Sequence, residues 1–336
     1  MASRSAVVLP DDSMQPILDA IRDASRSIRV KMFVFSDASL VKALVAAHRR
    51  RVNVQVMLNP ARRSGEEENA DTRKALASAG IEVIDANPDF DVTHEKSMVI
   101  DEKIAFVNSL NWAPKNFTST RDYAVVTSHK QEVSEIIDCF EADWRREKFA
   151  GGARSHLIWC PGGRDAIGRF IDRARHTLFL QNERYQDTVI IEHLVRAKRR
   201  GVKVHVMTRP PHTLKEEKLV EGVGGLRILD DVGIKIHRLK HLRLHAKMLL
   251  ADGVSAIVGS INLAPGSLDD RRELAIEVRD PEVVDRLYPV ARHDWKHSHP
   301  LDLSDEGLRE DLEERIEEAT KLGVVHPKGD GPKNGR

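Results

Sequence analysis

Apolar residues along the chain change their period in a fixed order. Ile17, Leu18 and Ile21 fall at helical spacing, with Asp11 to Ser13 ahead of them as an N-cap. The run "SIRVKMFVF" is β-rich and unbroken, and a helix closing on the basic cluster Arg49 to Arg51 follows it. "VNVQVML" then alternates as a strand and stops at Asn59-Pro60. Another helix and the short strand "IEVID" complete the unit. The same order returns with Ile167, Phe170 and Ile171, "TLFLQN", a helix closing at Lys198 to Arg200, "VKVHVMT" stopped by Arg209-Pro210, and "IKIHR".

The recurrence is a repeat. Residues 24–37 align with 174–187 and residues 44–60 with 194–210 at one offset of 150, and later segments at 151. Strands alternating with helices of this length predict parallel or mixed sheets covered by helices, so the fold class is α/β with two pseudo-symmetric lobes. The expected division is 1–150, 151–300 and a C-terminal segment 301–336, with "REKFAGGARSH" (146–156) as the join. In the last segment Leu308, Leu312, Ile316 and Ala319 share a helical face that is expected to pack on the body, with a dimer helix as the alternative, and residues 326–336 read as a frayed end.

Composition narrows the class. With 41% apolar and 31% charged residues the chain is globular, and a formal net charge of +1 leaves any polyanionic partner to a local patch. Neither a signal-peptide core nor a run of about 18 apolar residues occurs, which places the expected location in the cytoplasm or on a membrane surface. Cys139 and Cys160 lie outside any CxxC spacing and read as ordinary thiols.

The chemistry sits in a motif present once per copy: His94, Lys96, Asp101, Ser109, Asn111, and His245, Lys247, Asp252, Ser260, Asn262. Eleven residues past each asparagine stands a carboxylate, Asp122 or Glu273. "THEKSMVID" and "LHAKMLLAD" alternate, so His and Lys share one face, and the returning strands "IAFVNS" and "SAIVGS" bring Ser and Asn back beside them. Two such halves face to face make one pocket of imidazoles, ammonium groups and neutral donors. That set suits a phosphoryl group: Lys96 and Lys247 stabilise its charge, Ser109, Asn111, Ser260 and Asn262 donate to its oxygens, and no metal or other cofactor is called for. One His attacks phosphorus while the other protonates the leaving oxygen, and the roles then exchange. Asp122 and Glu273 are the expected partners of the second ring nitrogens. Asp101 and Asp252 belong to the motif, but five residues of strand carry them away from the lysines, and a structural hydrogen-bonding role is favoured.

These stretches, "HEKSMVIDEKIAFVNSLN" and "HAKMLLADGVSAIVGSIN", resemble the paired HxKxxxxDxxxxxxGSxN motifs of the phospholipase D superfamily over residues 15–295. The resemblance implies two α/β/α sandwich lobes with the site at their interface, a covalent phosphohistidine, and His94 as nucleophile with His245 as acid and then base. One departure stands out. Asn108 occupies the place of the motif glycine, and Asn is expected to keep a left-handed turn there while crowding the phosphate.

Around the motifs, "HRLKHLRLHAK" (237–247) is basic and "DANPDFDVTHEK" (85–96) acidic, an asymmetric mouth or two solvated edges. His237, His241 and His245 are four apart, but the residues between them read as extended, which scatters the rings rather than making a zinc face. Residues 62–73 and 210–225 read as loops beside the site. The expected substrate is a phospholipid met at a membrane surface, hydrolysed or transferred to an alcohol by a single chain acting as a monomer. A nucleic-acid phosphodiester is the alternative, and a binding protein with a worn site is the third reading.

Overall fold

The computed structural model describes residues 3–61, 65, 67–151, 156–210, 216–310, 313 and 317, leaving out the side chains of 216–221. The first lobe runs β1 (Arg4–Leu9), α1 (Gln15–Asp23), β2 (Ser27–Met32), α2 (Ala38–Arg49), β3 (Asn53–Leu58), α3 (Ala70–Ser78), β4 (Glu82–Asp85), β5 (Ser97–Ile100), β6 (Ile104–Asn108), α4 (Pro114–Thr118), β7 (Thr120–Thr127) and α5 (Lys130–Arg145). The second runs β8 (Leu157–Cys160), α6 (Arg164–Arg173), β9 (Thr177–Gln181), α7 (Thr188–Arg199), β10 (Lys203–Met207), α8 (Glu216–Asp231), β11 (Lys235–Arg238) and β12 (Arg243–Leu244). It continues through β13 (Met248–Ala251), β14 (Ser255–Gly259), a π-helical turn (Gly266–Asp270), β15 (Glu273–Val278), α9 (Pro281–Lys296) and β16 (His299–Pro300).

Both lobes are mixed sheets of one topology. The first has strand order β1-β7-β6-β5-β2-β3-β4, and the second β8-β15-β14-β13-β9-β10-β11, with β16 added at its edge. β2, β3 and β4 are parallel because helices cross between them, whereas β5, β6 and β7 form an antiparallel meander of short turns. The expected hairpins of the motif strands are therefore present, β5 with β6 and β13 with β14.

Local chemistry sets the helix ends. Asp37 caps α2 by accepting from the amides of Ser39 and Leu40, and Asp187 caps α7 by accepting from Ile190. The basic clusters at the ends of these helices reach further than their own last turns. Arg50 donates to Ile21, Arg22 and Ala24 carbonyls at the end of α1, and Arg200 to Ile171 and Asp172 at the end of α6.

Each lobe has its own core, and a third apolar cluster joins them. Val8, Tyr123 and Val125 of the first lobe pack there with Leu244, Met248, Val258, Leu274 and Leu287 of the second. The two sheets thus share buried surface instead of meeting through a linker.

Residues 210–225 depart from the loop expectation: from Glu216 they form α8. Of the glycines that suggested a loop, Gly225 serves packing, since a Cβ there would stand 1.9 Å from the Tyr185 carbonyl oxygen. Likewise α3 begins at Ala70, inside the stretch read as a loop. Residues 305–310 are helical and Leu308 is partly buried on the second-lobe core. Leu312, Ile316, Ala319, the frayed end 326–336, residues 62–64 and 211–215 and part of the join lie outside the described residues.

Candidate active site

Short backbone exchanges between lobes carry each histidine into the opposite half. β12 adds to β7 of the first lobe in parallel, with Arg243 opposite Thr120 and Leu244 opposite Arg121, and the His245 amide donates to the Arg121 carbonyl at 3.2 Å. The exchange is mirrored: Thr93 bridges to Arg272, and the amides of His94 and Glu95 both donate to the Arg272 carbonyl at 2.9 Å. As a result each imidazole meets the other lobe's carboxylate. His94 Nδ1 lies 2.8 Å from Glu273 Oε2, and His245 Nδ1 lies 2.8 Å from Asp122 Oδ1.

The carboxylates are held differently. Asp122 accepts from Ser109 Oγ at 2.6 Å, Thr120 Oγ1 at 2.6 Å and Asn116 Nδ2 at 3.0 Å. Glu273 accepts from Ser267 Oγ at 2.7 Å, on the π-helical turn. Burial pushes both carboxyl groups up. For Asp122 the His245 charge and hydrogen bond, with Lys247, outweigh it and hold the group below its ordinary range, whereas Glu273 stays raised by burial despite Lys96.

Burial also dominates the basic groups. His94 is driven well below the ordinary imidazole value, first by desolvation and then by Lys96, Lys247, Arg271 and His245. Charges from both lobes act on that one ring, so the halves form one site. His245 is lowered by burial and Lys247, with Asp122 and Glu183 opposing. Lys96 falls to about 7, because burial and Lys247 outweigh the pull of Glu273. Each lysine donates to the carbonyl of its own motif histidine, Lys96 to His94 at 2.6 Å and Lys247 to His245.

Two of the expected site residues are placed elsewhere, and two are engaged with other partners. Asp101 and Asp252 stand at the far ends of β5 and β13, with φ of 53° and 55°. Asp101 accepts from the amides of Ser25, Arg26 and Ser27, and Asp252 from those of Arg175, His176 and Thr177. They anchor the hairpin turn to the starts of β2 and β9, as strand length required. The serines are not free donors to phosphate. Ser109 is fully buried and bonded to Asp122 and the Tyr123 amide, and Ser260 is fully buried and bonded to the Leu274 backbone. The amides of Asn111 and Asn262 remain, each buried with an Oδ1 that has no hydrogen-bond partner among the described residues.

Asn108 corrects a further expectation. Neither it nor Gly259 has a positive φ; both end strands, β6 and β14. Gly259 is needed for closeness, since its Cβ would lie 2.3 Å from the Leu274 carbonyl oxygen and 2.4 Å from Ala275 Cα. At the equivalent place the first lobe admits a buried Asn side chain, whose Nδ2 donates to the Lys96 carbonyl at 3.1 Å. The Asn therefore braces the lysine strand.

Comparison with known proteins completes the assignment. A family model described as "Cardiolipin synthase, PLD-like domain" matches residues 17–144 and again 167–295. The chain belongs to the phospholipase D-like family. A polyphosphate kinase 1 of Chlorobaculum tepidum is 27% identical over 301 residues, covering 83% of this chain and 42% of that protein. The chain thus spans about two fifths of the length of the polyphosphate kinases it matches. A cardiolipin synthase B of Escherichia coli is 27% identical over 312 residues, 79% of this chain and 73% of that one. Among solved structures, phosphatidylserine synthase of Haemophilus influenzae superposes with a TM-score of 0.70 at 11% identity, covering 96% and 95% of the two chains, and establishes the fold alone.

Within this phospholipase D-like site, sequence reasoning missed three groups. Glu183 reaches Lys247 Nζ at 2.6 Å and lies 3.9 Å from His245 Nε2, while Arg209 donates to its other oxygen at 2.9 Å. Two inter-lobe bridges stand directly before the orienting carboxylates: Arg121 grips Asp294 on α9, and Arg272 grips Asp143 on α5, each through two nitrogens. The 151-residue offset carries the signal, because Arg121 aligns with Arg272 and Asp143-Trp144 with Asp294-Trp295. Third, the middle residue of the first motif, Glu95, points away from the lysine and bonds Lys31 at 2.9 Å.

Among the described residues, Glu95, Cys139 and Asp143 form one trio with ligand atoms close enough to hold a metal ion. The Lys31 ammonium is 2.9 Å, 3.4 Å and 2.8 Å from those three groups, so an internal cation already serves them. His237 is separate from the site, stacked on Trp295 at 3.9 Å between ring centroids and paired with Ser298 Oγ. Among the described residues no helix is long and apolar enough to cross a membrane.

Proposed function

We propose that this chain is a phosphodiesterase and phosphatidyltransferase of phospholipase D type that acts through a covalent phosphohistidine. The observation that carries the reading is the crossed pair of couplings, His94 to Glu273 and His245 to Asp122, with Lys96 and Lys247 beside them. Each carboxylate takes up Nδ1 and leaves Nε2 of its ring for the substrate. His94 is kept neutral by burial and by its cationic neighbours, which suits a nucleophile. The lysines and the amides of Asn111 and Asn262 hold the phosphoryl oxygens, and the pocket supplies charge where the pentacoordinate state needs it.

The preferred substrate is a phospholipid, supported by the resemblance to proteins named cardiolipin synthase B over most of both chains. A second reading, transfer of a phosphoryl group of inorganic polyphosphate, is favoured by the polyphosphate kinases, which match 83–84% of this chain. Chelator-treated protein should release headgroup from phosphatidylglycerol vesicles and exchange it for added ethanol, and His94→Ala and His245→Ala should each abolish this. The same assay with single-stranded DNA and with polyphosphate distinguishes the alternatives, and activity that survives in both variants overturns the mechanism.

A further inference from the structure

Residues 33 and 183 occupy the same place in the repeat, at the offset of 150 that aligns β2 with β9. One is Phe and the other Glu. Phe33 lies edge-on to His94 with 4.7 Å between centroids, and Lys96 Nζ is 5.2 Å from its ring. Glu183 takes the matching position beside His245 and Lys247, 3.9 Å from Nε2 and 2.6 Å from Nζ. Two motifs that share their His, Lys, Asp, Ser and Asn are thereby given unlike surroundings.

An imidazolium has two N–H groups and is stabilised when both face acceptors. His245 meets that condition, with Asp122 on Nδ1 and Glu183 facing Nε2. His94 has Glu273 on Nδ1 and an aromatic ring beside it, so only its neutral form is well served. We infer that Glu183 is a positioning residue that favours the exchangeable proton on His245 over His94, making His245 the proton donor and leaving His94 as the nucleophile.

This inference rests on the two-histidine reading above and assigns its roles from the structure. In the first step the His94 Nε2 lone pair forms an N–P bond as the P–O bond to the leaving group breaks, and the His245 Nε2 proton moves to the departing oxygen. In the second, neutral His245 takes a proton from water or an alcohol, whose oxygen bonds to phosphorus as the N–P bond breaks. The proton is then back on Nε2, facing Glu183. Glu183 does not take it: burial would raise this carboxyl, but Lys247, His245 and Arg209 together hold it well below its ordinary range. Its ties to Lys247 and Arg209 also fix its direction.

The test is a side-chain NMR titration of 15N-histidine-labelled full-length protein, with His94 and His245 assigned by His→Gln variants. Groups facing His245 are Asp122 of β7, Lys247 of its own segment, Glu183 beyond β9, and His94. Glu183→Gln should lower the His245 titration by roughly one pH unit or more and leave His94 nearly unmoved. Glu183→Asp, which keeps the charge, should restore much of the shift and guards against misfolding as the cause. An unmoved His245, or equal shifts at both rings, overturns the inference. Turnover of bis-p-nitrophenyl phosphate by the wild type reports separately on the underlying reading: no turnover with the titration shift present would remove the enzyme and leave the electrostatic pairing.

Discussion

His245 Nδ1 and Asp122 Oδ1 are 2.8 Å apart although the residues come from different lobes, and His94 and Glu273 repeat the relation in reverse. Each carboxylate therefore serves the other half's histidine. Asp122→Asn should leave the fold intact, since Ser109, Thr120 and Asn116 still surround an isosteric side chain. The imidazole loses its fixed tautomer, and kcat should fall roughly 10²- to 10⁴-fold, as for removal of acid–base assistance. Steady-state kinetics beside a thermal melt checks this; a large drop in Tm with little loss of specific activity would assign Asp122 to folding.

The bridges Arg121–Asp294 and Arg272–Asp143 clamp the strands that carry those carboxylates. All four side chains are buried; without Arg121 the Asp294 carboxylate keeps only the Gln181 amide, whereas without Arg272 Asp143 still has Lys31 at 2.8 Å. Arg121→Ala should destabilise by about 3–5 kcal/mol, and Arg272→Ala by less. Denaturant unfolding of the single and double variants with Asp294→Ala or Asp143→Ala should show strong coupling within each pair. Additive losses would mean that the bridges are not energetic units.

Much of this was legible in the sequence because a repeat exposes itself at a fixed offset. "VNVQVML" and "VKVHVMT" became β3 and β10, and "IEVID" and "IKIHR" became β4 and β11. His94, Lys96, His245 and Lys247 came from motif spacing, and the distance along a strand already separated Asp101 and Asp252 from them. The crossing was not legible. Spacing states which carboxylate follows which asparagine, while the lobe it faces is decided by β12 adding to β7. Ser109 and Ser260 were misread because a hydroxyl has several uses, and burial here commits it to Asp122 or to backbone. α8 was hidden by Gly224 and Gly225, which disfavour a helix in isolation, although Gly225 allows the close approach to Tyr185.

Lys96 has an ordinary lysine value of 10.5 and is brought to about 7 by burial. In the free protein its charge is present below that pH and lost above it. An anion that binds beside it favours the charged form, so binding above pH 7 should take up protons and weaken as pH rises. Calorimetry with vanadate in buffers of different ionisation heat should show uptake near pH 8 and little near pH 6. Lys96→Arg should abolish the difference. Equal proton uptake at both pH values would contradict the burial argument.

Asp101 should matter for stability more than for chemistry. Burial opposes its ionisation, and hydrogen bonds from the amides of Ser27, Ser25 and Arg26 together outweigh this, bringing the carboxyl from 3.8 to about 2. A carboxyl with a depressed folded value stabilises above its ordinary range, and the contribution fades as pH falls from about 4 toward 2. Asp101→Ala should cost about 1–2 kcal/mol at pH 7, like the loss of a helix cap, and nearly nothing at pH 2. Specific activity of the folded fraction should change less than threefold. A collapse of kcat at unchanged Tm would return Asp101 to the catalytic set.

The exchange of Asn108 for glycine tests how the two lobes differ at one register position. Asn108 pairs with Ala124 and Gly259 with Ala275, so the backbones correspond while the space does not. Asn108→Gly removes a brace on the Lys96 carbonyl and a buried Oδ1 that has no partner among the described residues, two effects of opposite sign. It should change stability by less than about 1 kcal/mol. Gly259→Asn forces a Cβ against backbone atoms of Leu274 and Ala275 that cannot turn aside. It should cost about 1–3 kcal/mol or prevent folding, as overpacking does. Melting both variants settles the point: if Gly259→Asn were tolerated as well as Asn108→Gly, the second lobe could open as the first does, and the glycine would owe its place to the phosphate rather than to the strand behind it.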